Sequence, residues 1–174
     1  MKIHRAIVAL LLSLFLASCD DILFEHPQPP WVSKNESAFP EKVRGIYASE
    51  KKDSIRISAS SIGPLHPGEH DVIFTLSDSL LLRMDKENYY LNMRVDGYWD
   101  VTLGRIKGDS LISYTLNGKD EEVRKAVEEI TPLKVMKGDT GNYVINPSAE
   151  GFRKILDKNI FKQGDVYLKV GTKN

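Results

Sequence analysis

The chain has 174 residues, of which 41% are hydrophobic and 28% charged, and its 24 Lys and Arg residues balance 24 Asp and Glu residues. This composition and length are typical of one soluble globular domain, and without a cluster of excess cations nucleic acid is not an expected partner. The single cysteine excludes a disulfide framework and a cysteine-based zinc knuckle, so the core alone must hold the fold.

Residues 1–18 have the pattern of an export signal. Lys2 and Arg5 precede an apolar run over residues 6–17, which Asp20 closes soon afterwards. A helix needs about 20 apolar residues to span a bilayer, and this run is too short. The pattern therefore predicts a cleaved signal peptide rather than a transmembrane anchor.

The only cysteine follows the apolar run directly. The sequence Leu16-Ala17-Ser18-Cys19 resembles the lipobox of bacterial lipoproteins. The resemblance implies cleavage after Ser18 and acylation of Cys19, whose fatty acids would anchor the chain in the lipid bilayer of the cell envelope. We expect the outer membrane rather than the inner one, and the sequence does not decide between its periplasmic and surface faces. An ordinary secretory signal with a chance cysteine is the alternative.

Residues 19–40 show no periodicity and contain four of the eight prolines. Because proline fixes φ and disfavours helix, this segment is predicted to be an extended spacer between the lipidated Cys19 and the domain. Trp31 is expected to pack back on the domain rather than enter the lipid interface. A single β-rich domain is predicted over residues 41–174.

The centre of this domain alternates apolar and polar residues, as half-buried strands do. A two-residue turn between the strands would set the apolar face of one against the polar face of the other. We therefore predict a three-residue loop at 96–98, which pairs Val95 with Trp99 and Met93 with Val101. The next turn is predicted at Gly108-Asp109. Shorter strands are expected upstream, at 43–47, 54–60, 71–76 and 79–84.

The period changes in the last third of the chain. Val123, Ala126, Val127 and Ile130 have helical spacing, which predicts an amphipathic helix that opens near Asp120. Ser148 is the predicted N-cap of a second helix ending by residue 159. Short strands are predicted at 133–136 and 142–145, and a last strand around 166–170.

The expected fold is mainly β, an antiparallel up-and-down meander that closes as a lipocalin-like barrel with two late helices. The sequence Val43-Arg44-Gly45-Ile46-Tyr47 is similar to the Gly-x-Trp signature that opens lipocalins, although Tyr47 replaces the tryptophan. A helix before the last strand is also lipocalin-like. The alternative is an open α+β sheet with its helices on one face.

The segment His66-Pro67-Gly68-Glu69-His70 fits the letters H-x-x-E-H of inverted-motif zinc proteases. That chemistry needs a helix, which Pro67 and Gly68 oppose. We therefore interpret the segment as a plain loop, with His66, Glu69 and His70 as weak candidates for a metal site.

Other chemical motifs are missing from the sequence. It has no nucleophile elbow, phosphate-binding loop or dinucleotide fingerprint, and no cofactor is predicted. Carboxylates such as Asp96 and Asp100 are interpreted as solvated groups. The expected function is a non-enzymatic binding module for a small apolar ligand or an envelope partner. The alternatives are a structural or accessory subunit of an envelope complex and a hydrolase that uses carboxylates or the His66/His70 loop.

Overall fold

A computed structural model describes residues 21–51, 53–68, 71–136 and 141–171. Cys19 and the predicted signal peptide at 1–18 lie outside these ranges. The described strands are β1 (Ile22–Phe24), β2 (Gly45–Ser49), β3 (Ser54–Ile57), β4 (Ser61–Pro64), β5 (Phe74–Thr75), β6 (Leu80–Asp85), β7 (Asn88–Val95), β8 (Tyr98–Lys107), β9 (Ser110–Thr115), β10 (Lys134–Val135), β11 (Tyr143–Ile145) and β12 (Lys162–Gly171). The helices are α1 (Glu121–Glu128) and α2 (Ala149–Asp157), with a short 3-10 helix at Glu41–Val43.

The strands form one branched sheet. Its order is β10-β11-β1-β8-β9-β12-β2-β3-β4-β5, and β6 and β7 branch from β8. The sheet is mixed, because β1 runs parallel to β11 while the other pairs are antiparallel. Within the described residues no pairing closes the sheet into a cylinder. The mainly β fold is therefore confirmed, whereas the closed barrel is not.

The hairpin between β7 and β8 has a tighter turn than the alternation predicted. Val95 pairs with Tyr98 across a two-residue turn at Asp96 and Gly97, both of which have positive φ, 50° and 89°. Two successive positive φ values are characteristic of the type I′ turn, whose twist matches that of the flanking strands. The predicted loop at 96–98 and its register are wrong.

The physical reason is that this hairpin is covered on both faces. In the observed register Tyr90 pairs with Leu103 on one face, and Met93 pairs with Asp100 on the other. The prediction assumed that all apolar residues of the two strands must share one face. Each face instead carries its own apolar set, so the tighter turn places no apolar face in water.

The elements after β8 lie close to the positions that the sequence predicts for them. Lys107 pairs with Ser110 across the predicted Gly108-Asp109 turn. The Asp120 carboxylate accepts hydrogen bonds from backbone N–H groups in the first turn of α1. Ser148 Oγ accepts one from the Gly151 N–H, 3.1 Å away, in the first turn of α2. Both predicted helices are confirmed, as are the start of the first near Asp120 and the N-cap of the second at Ser148.

The two faces of the sheet carry separate hydrophobic clusters. The helix-side core joins β1, β7, β8, α1 and α2, and its buried members are Ile22, Phe24, Tyr90, Trp99, Val101, Leu103, Leu116, Val123, Val127, Ile145, Phe152, Ile155, Ile160 and Phe161. The cavity-side core lies on the opposite face, and its buried members are Phe39, Val43, Tyr47, Ile57, Leu82 and Tyr89.

The segment predicted as a spacer belongs to the domain from residue 21 onward. β1 is fully buried in the sheet. Further along, the backbone N–H of Gln28 donates to Asn92 Oδ1 at 2.6 Å, and Asn92 Nδ2 donates to Gln28 O at 2.9 Å. Trp31 packs on Phe152, as expected, with ring centroids 5.8 Å apart. The spacer is therefore wrong for residues 21–40, because their apolar side chains are needed to complete the core.

Candidate ligand-binding cavity

A cavity of about 570 Å³ opens on the face of the sheet opposite the helices. Strands β3, β4 and β6 to β9 supply most of its wall. The apolar lining consists of Phe39, Val43, Ile55, Ile57, Ile62, Pro64, Val72, Phe74, Leu80, Leu82, Tyr89, Leu91, Met93, Leu111 and Tyr167, with Gly63 and Gly104 between them. The volume lies within the roughly 300–1,000 Å³ of small-molecule sites in proteins.

Strand alternation explains how the sequence builds this wall. Residues of β8 at even positions, from Asp100 to Gly104, face the cavity, while Trp99, Val101 and Leu103 face the helices. Gly104 contributes no side chain, so the cavity stays open above the middle of β8. A Cβ added there would meet its nearest neighbours at 3.7 Å, which is ordinary contact.

The segment before β2 covers one part of the cavity-side core. The N–H of Phe39 donates to Ala59 O at 2.8 Å, and Arg44 Nε donates to Phe39 O at 2.7 Å. Tyr47, from the lipocalin-like pentapeptide, is buried and its hydroxyl donates to Val43 O at 3.0 Å. These bonds hold the Phe39 and Val43 side chains against the cavity.

Five polar side chains interrupt the apolar wall: Asp71, Asp100, Thr102, Ser113 and Asp165. Asp165 forms an ion pair with Lys51 at 2.8 Å, and its backbone N–H donates to Ser113 Oγ at 2.9 Å. Asp71 Oδ2 accepts a hydrogen bond from the Gly68 N–H at 2.9 Å. These two carboxylates are therefore partnered within the protein.

Asp100 differs from Asp165 in having no ion pair, and from Asp71 in being half-buried rather than exposed. Within the described residues its carboxylate forms no ion pair and no side-chain hydrogen bond, and only the backbone N–H of Val101 stabilises its charge. Removal from water, and to a smaller extent the like charge of Asp21, raise the pKa of the Asp100 carboxyl above its ordinary value. An acidic group thus faces an apolar cavity without a compensating cation.

The opening of the cavity has an apolar rim. Val72, Ile73 and Phe74 are 58%, 52% and 40% exposed, and Val72 and Phe74 also line the cavity. Exposed neighbouring apolar side chains of this kind are typical of a surface that meets a ligand or a partner.

The described part of the histidine-containing segment, residues 65–68, directly follows Pro64, which lines the cavity. His66 is exposed, and residues 65 and 66 form a bend that residues 67 and 68 continue without regular structure, so no helix is present over 65–68. Glu69 and His70 lie outside the described residues. Within the described part of the chain no three His, Cys, Asp or Glu side chains form a group that could hold a metal ion.

Sequence reasoning identified none of the cavity residues as a site. Tyr90 and Trp99, from the central hairpin, are core residues, while Tyr89 lines the cavity. The signal that could have located the wall is the even-numbered series of β8, where an acid, a hydroxyl and a glycine alternate with large apolar residues. That series indicates a strand packed on one face and lining open space on the other.

Comparisons with protein-family models, curated proteins and solved structures found no match for this chain. Among residues 21–51, 53–68, 71–136 and 141–171, no helix is both long enough and apolar enough to cross a bilayer.

Proposed function

We propose that this chain is a lipoprotein of the cell envelope, anchored through acylated Cys19, whose β domain binds a small apolar ligand. The observation that carries the ligand-binding part is the cavity of about 570 Å³, walled mainly by aliphatic and aromatic side chains. Each methylene that moves from water into such a site contributes about 0.8 kcal/mol, so a short alkyl chain supplies enough free energy to offset the cost of association.

The proposed anchor would hold the cavity close to the membrane. Only residues 20 and 21 separate Cys19 from the start of β1 at Ile22. Three residues of extended chain reach at most about 11 Å, so an acylated Cys19 keeps the domain at the bilayer surface. The apolar rim at Val72 to Phe74 would then be available to a ligand that comes from the membrane or from a neighbouring protein.

The ligand-binding proposal is tested by filling the cavity. The full chain in phosphatidylcholine nanodiscs is incubated with a photoreactive alkyl probe, and the labelled peptides are mapped by mass spectrometry. We expect labels on β6 to β9, and we expect Thr102→Trp to remove most of them. Leu168→Trp is the matched control, because Leu168 is exposed on β12 and the ring is added outside the cavity.

Two results would contradict the ligand-binding proposal. One is labelling that is spread evenly over the surface of the wild type. The other is cavity labelling that Thr102→Trp leaves unchanged while the variant keeps its native circular dichroism spectrum.

The anchor is tested separately. Cys19→Ala should abolish incorporation of labelled fatty acid and leave the unprocessed precursor. A Cys19→Ala chain that is still acylated would disprove the anchor and leave the cavity proposal standing.

The second candidate function is binding of an envelope protein, and the exposed side chains of Val72, Ile73 and Phe74 favour it. Substitution of Ile73 by Ser should then weaken recovery of a crosslinked partner from intact envelopes, while alkyl labelling of the cavity remains. Recovery that is equal with and without the substitution would argue against a docking role for this rim.

A further inference from the structure

The polar groups that line the cavity favour one class of ligand over another. Among the described residues that line it, three are aspartates and none is Lys, Arg or His. Asp165 is neutralised by Lys51, and Asp71 accepts a backbone hydrogen bond. No side chain of the described residues partners Asp71 or Asp100, and of these two Asp100 is half-buried whereas Asp71 is exposed.

The surroundings of Asp100 place its carboxylate beside the apolar wall. Met93 pairs with it directly on the neighbouring strand, and Thr102 follows on the same face of β8. The side chain is half-buried, so part of its hydration is lost. An unpaired carboxylate in an apolar site is costly, and a cation or a hydrogen-bond donor that enters with a ligand removes that cost.

Lys42, a cation beside the cavity residue Tyr89, does not pair with this carboxylate. Lys42 Nζ lies 5.6 Å from the ring centroid of Tyr89, and Lys42 itself does not line the cavity. Tyr89 is four residues from Met93 along β7, which corresponds to about 13 Å. The region around Asp100 is therefore acidic, and a ligand with a carboxylate head would meet repulsion there.

We propose that the cavity selects amphiphiles with a cationic amine head, which pairs with the Asp100 carboxylate while the alkyl chain occupies the apolar wall. This inference rests on the proposed ligand-binding function. It narrows the ligand class from any small apolar molecule to one that joins an alkyl chain to a protonated amine, and it disfavours free fatty acids.

The test uses three probes with the same chain, decylamine, decanol and decanoate. The full chain, with its methionine methyl groups labelled with carbon-13, is held in neutral phosphatidylcholine nanodiscs at neutral pH. The Met93 methyl resonance reports binding beside Asp100, and partition into protein-free nanodiscs gives the free probe concentration. We expect decylamine to bind at least about tenfold more tightly than decanol, and decanoate to bind more weakly than decanol.

Asp100→Asn keeps the size of the side chain and removes its charge. We expect it to abolish the preference for decylamine over decanol while decanol still binds. Asp96→Asn is the matched control, because Asp96 is exposed in the turn of the same hairpin and asparagine tolerates its positive φ. This control should keep the preference, and an unchanged Met136 resonance in both variants verifies that the fold is retained.

The outcomes separate the two proposals. If none of the three probes shifts Met93 in the wild type, the ligand-binding function itself fails. If decanol binds and decylamine binds no better, or if Asp100→Asn keeps the amine preference, the cationic selectivity is disproved and the ligand-binding function stands.

Discussion

The hairpin of β7 and β8 has two faces with opposite designs. On the helix side, Tyr90, Val101 and Leu103 are buried in a cluster with side chains of β1 and the two helices. On the cavity side, Asp100, Thr102 and Gly104 face open space. The same two strands thus pack against a filled core on one face and line a cavity on the other. The packing on the helix side stabilises the fold, which allows the cavity side to keep open space that contributes little to stability.

The largest expected effect on stability comes from two leucines of equal burial, one on each face of the sheet. Leu103 lies on the helix side and Leu82 on the cavity side, and each is 1% exposed. Leu103→Ala should lower the free energy of unfolding by about 4 kcal/mol, because it opens a void in a filled core. Leu82→Ala should cost only about 2 kcal/mol, because its neighbours already border open space. Chemical denaturation measures both, and equal losses would remove the distinction between the faces.

The second test addresses the polar bond that fastens the N-terminal segment over the helix side. Asn92→Ala removes both hydrogen bonds to Gln28 and leaves the buried N–H and C=O of Gln28 unpaired. We expect a loss of about 2 kcal/mol and faster hydrogen exchange at the Gln28 amide. Asn88→Ala, which removes the 2.8 Å bond from Arg105 at a less buried site, serves as the control. The attachment would be unimportant if Gln28 exchanged at the wild-type rate in Asn92→Ala.

A third test concerns the helix that covers the filled face. Ser148→Ala removes the N-cap of α2 and should cost about 1 kcal/mol. Ser148→Asp should retain most of that stability, because a carboxylate can cap the same N–H. If alanine and aspartate give the same midpoint of denaturation, the cap does not stabilise α2.

The last test concerns the pH dependence of stability. Burial raises the pKa of Tyr90 to about 12 from its ordinary value of 10.0. Folding therefore favours the protonated phenol, so this contribution is complete below pH 10 and is lost as the pH rises toward 12. Tyr90→Phe should lose stability less steeply than the wild type between these values. Parallel curves of unfolding free energy against pH would contradict the assignment.

The elements that the sequence predicted well depend on local chemistry. The helix start near Asp120, the cap at Ser148 and the turn at Gly108-Asp109 each need only neighbouring residues, and all three are confirmed. The hairpin at Asp96-Gly97 was mispredicted because its register depends on what covers each face, which is information from distant parts of the chain. The burial of β1 depends on a partner strand more than a hundred residues away.

The candidate site was even less accessible to sequence reasoning. Asp100 has the same pattern as any solvated carboxylate between apolar neighbours, and only the packing of β3, β4 and β6 around β8 shows that it faces a cavity. No particular residue type marks a strand position that faces a cavity. The lining therefore resembles an ordinary half-buried strand until the position of the opposite wall is known.

The pairing of β1 with β11 also constrains the order in which the chain can fold. The Asp21 N–H donates to Asn142 Oδ1 across 121 positions, and the three residues of β1 align in parallel with those of β11. Such a distant contact closes late, because a long loop of backbone must first be ordered. The pairing of β1 with β11 is therefore completed only after nearly the whole polypeptide has been synthesised, whereas its pairing with β8 needs a shorter stretch of chain. Under the proposed lipoprotein function, the chain around Cys19 would be accessible to export and processing enzymes before the domain is complete.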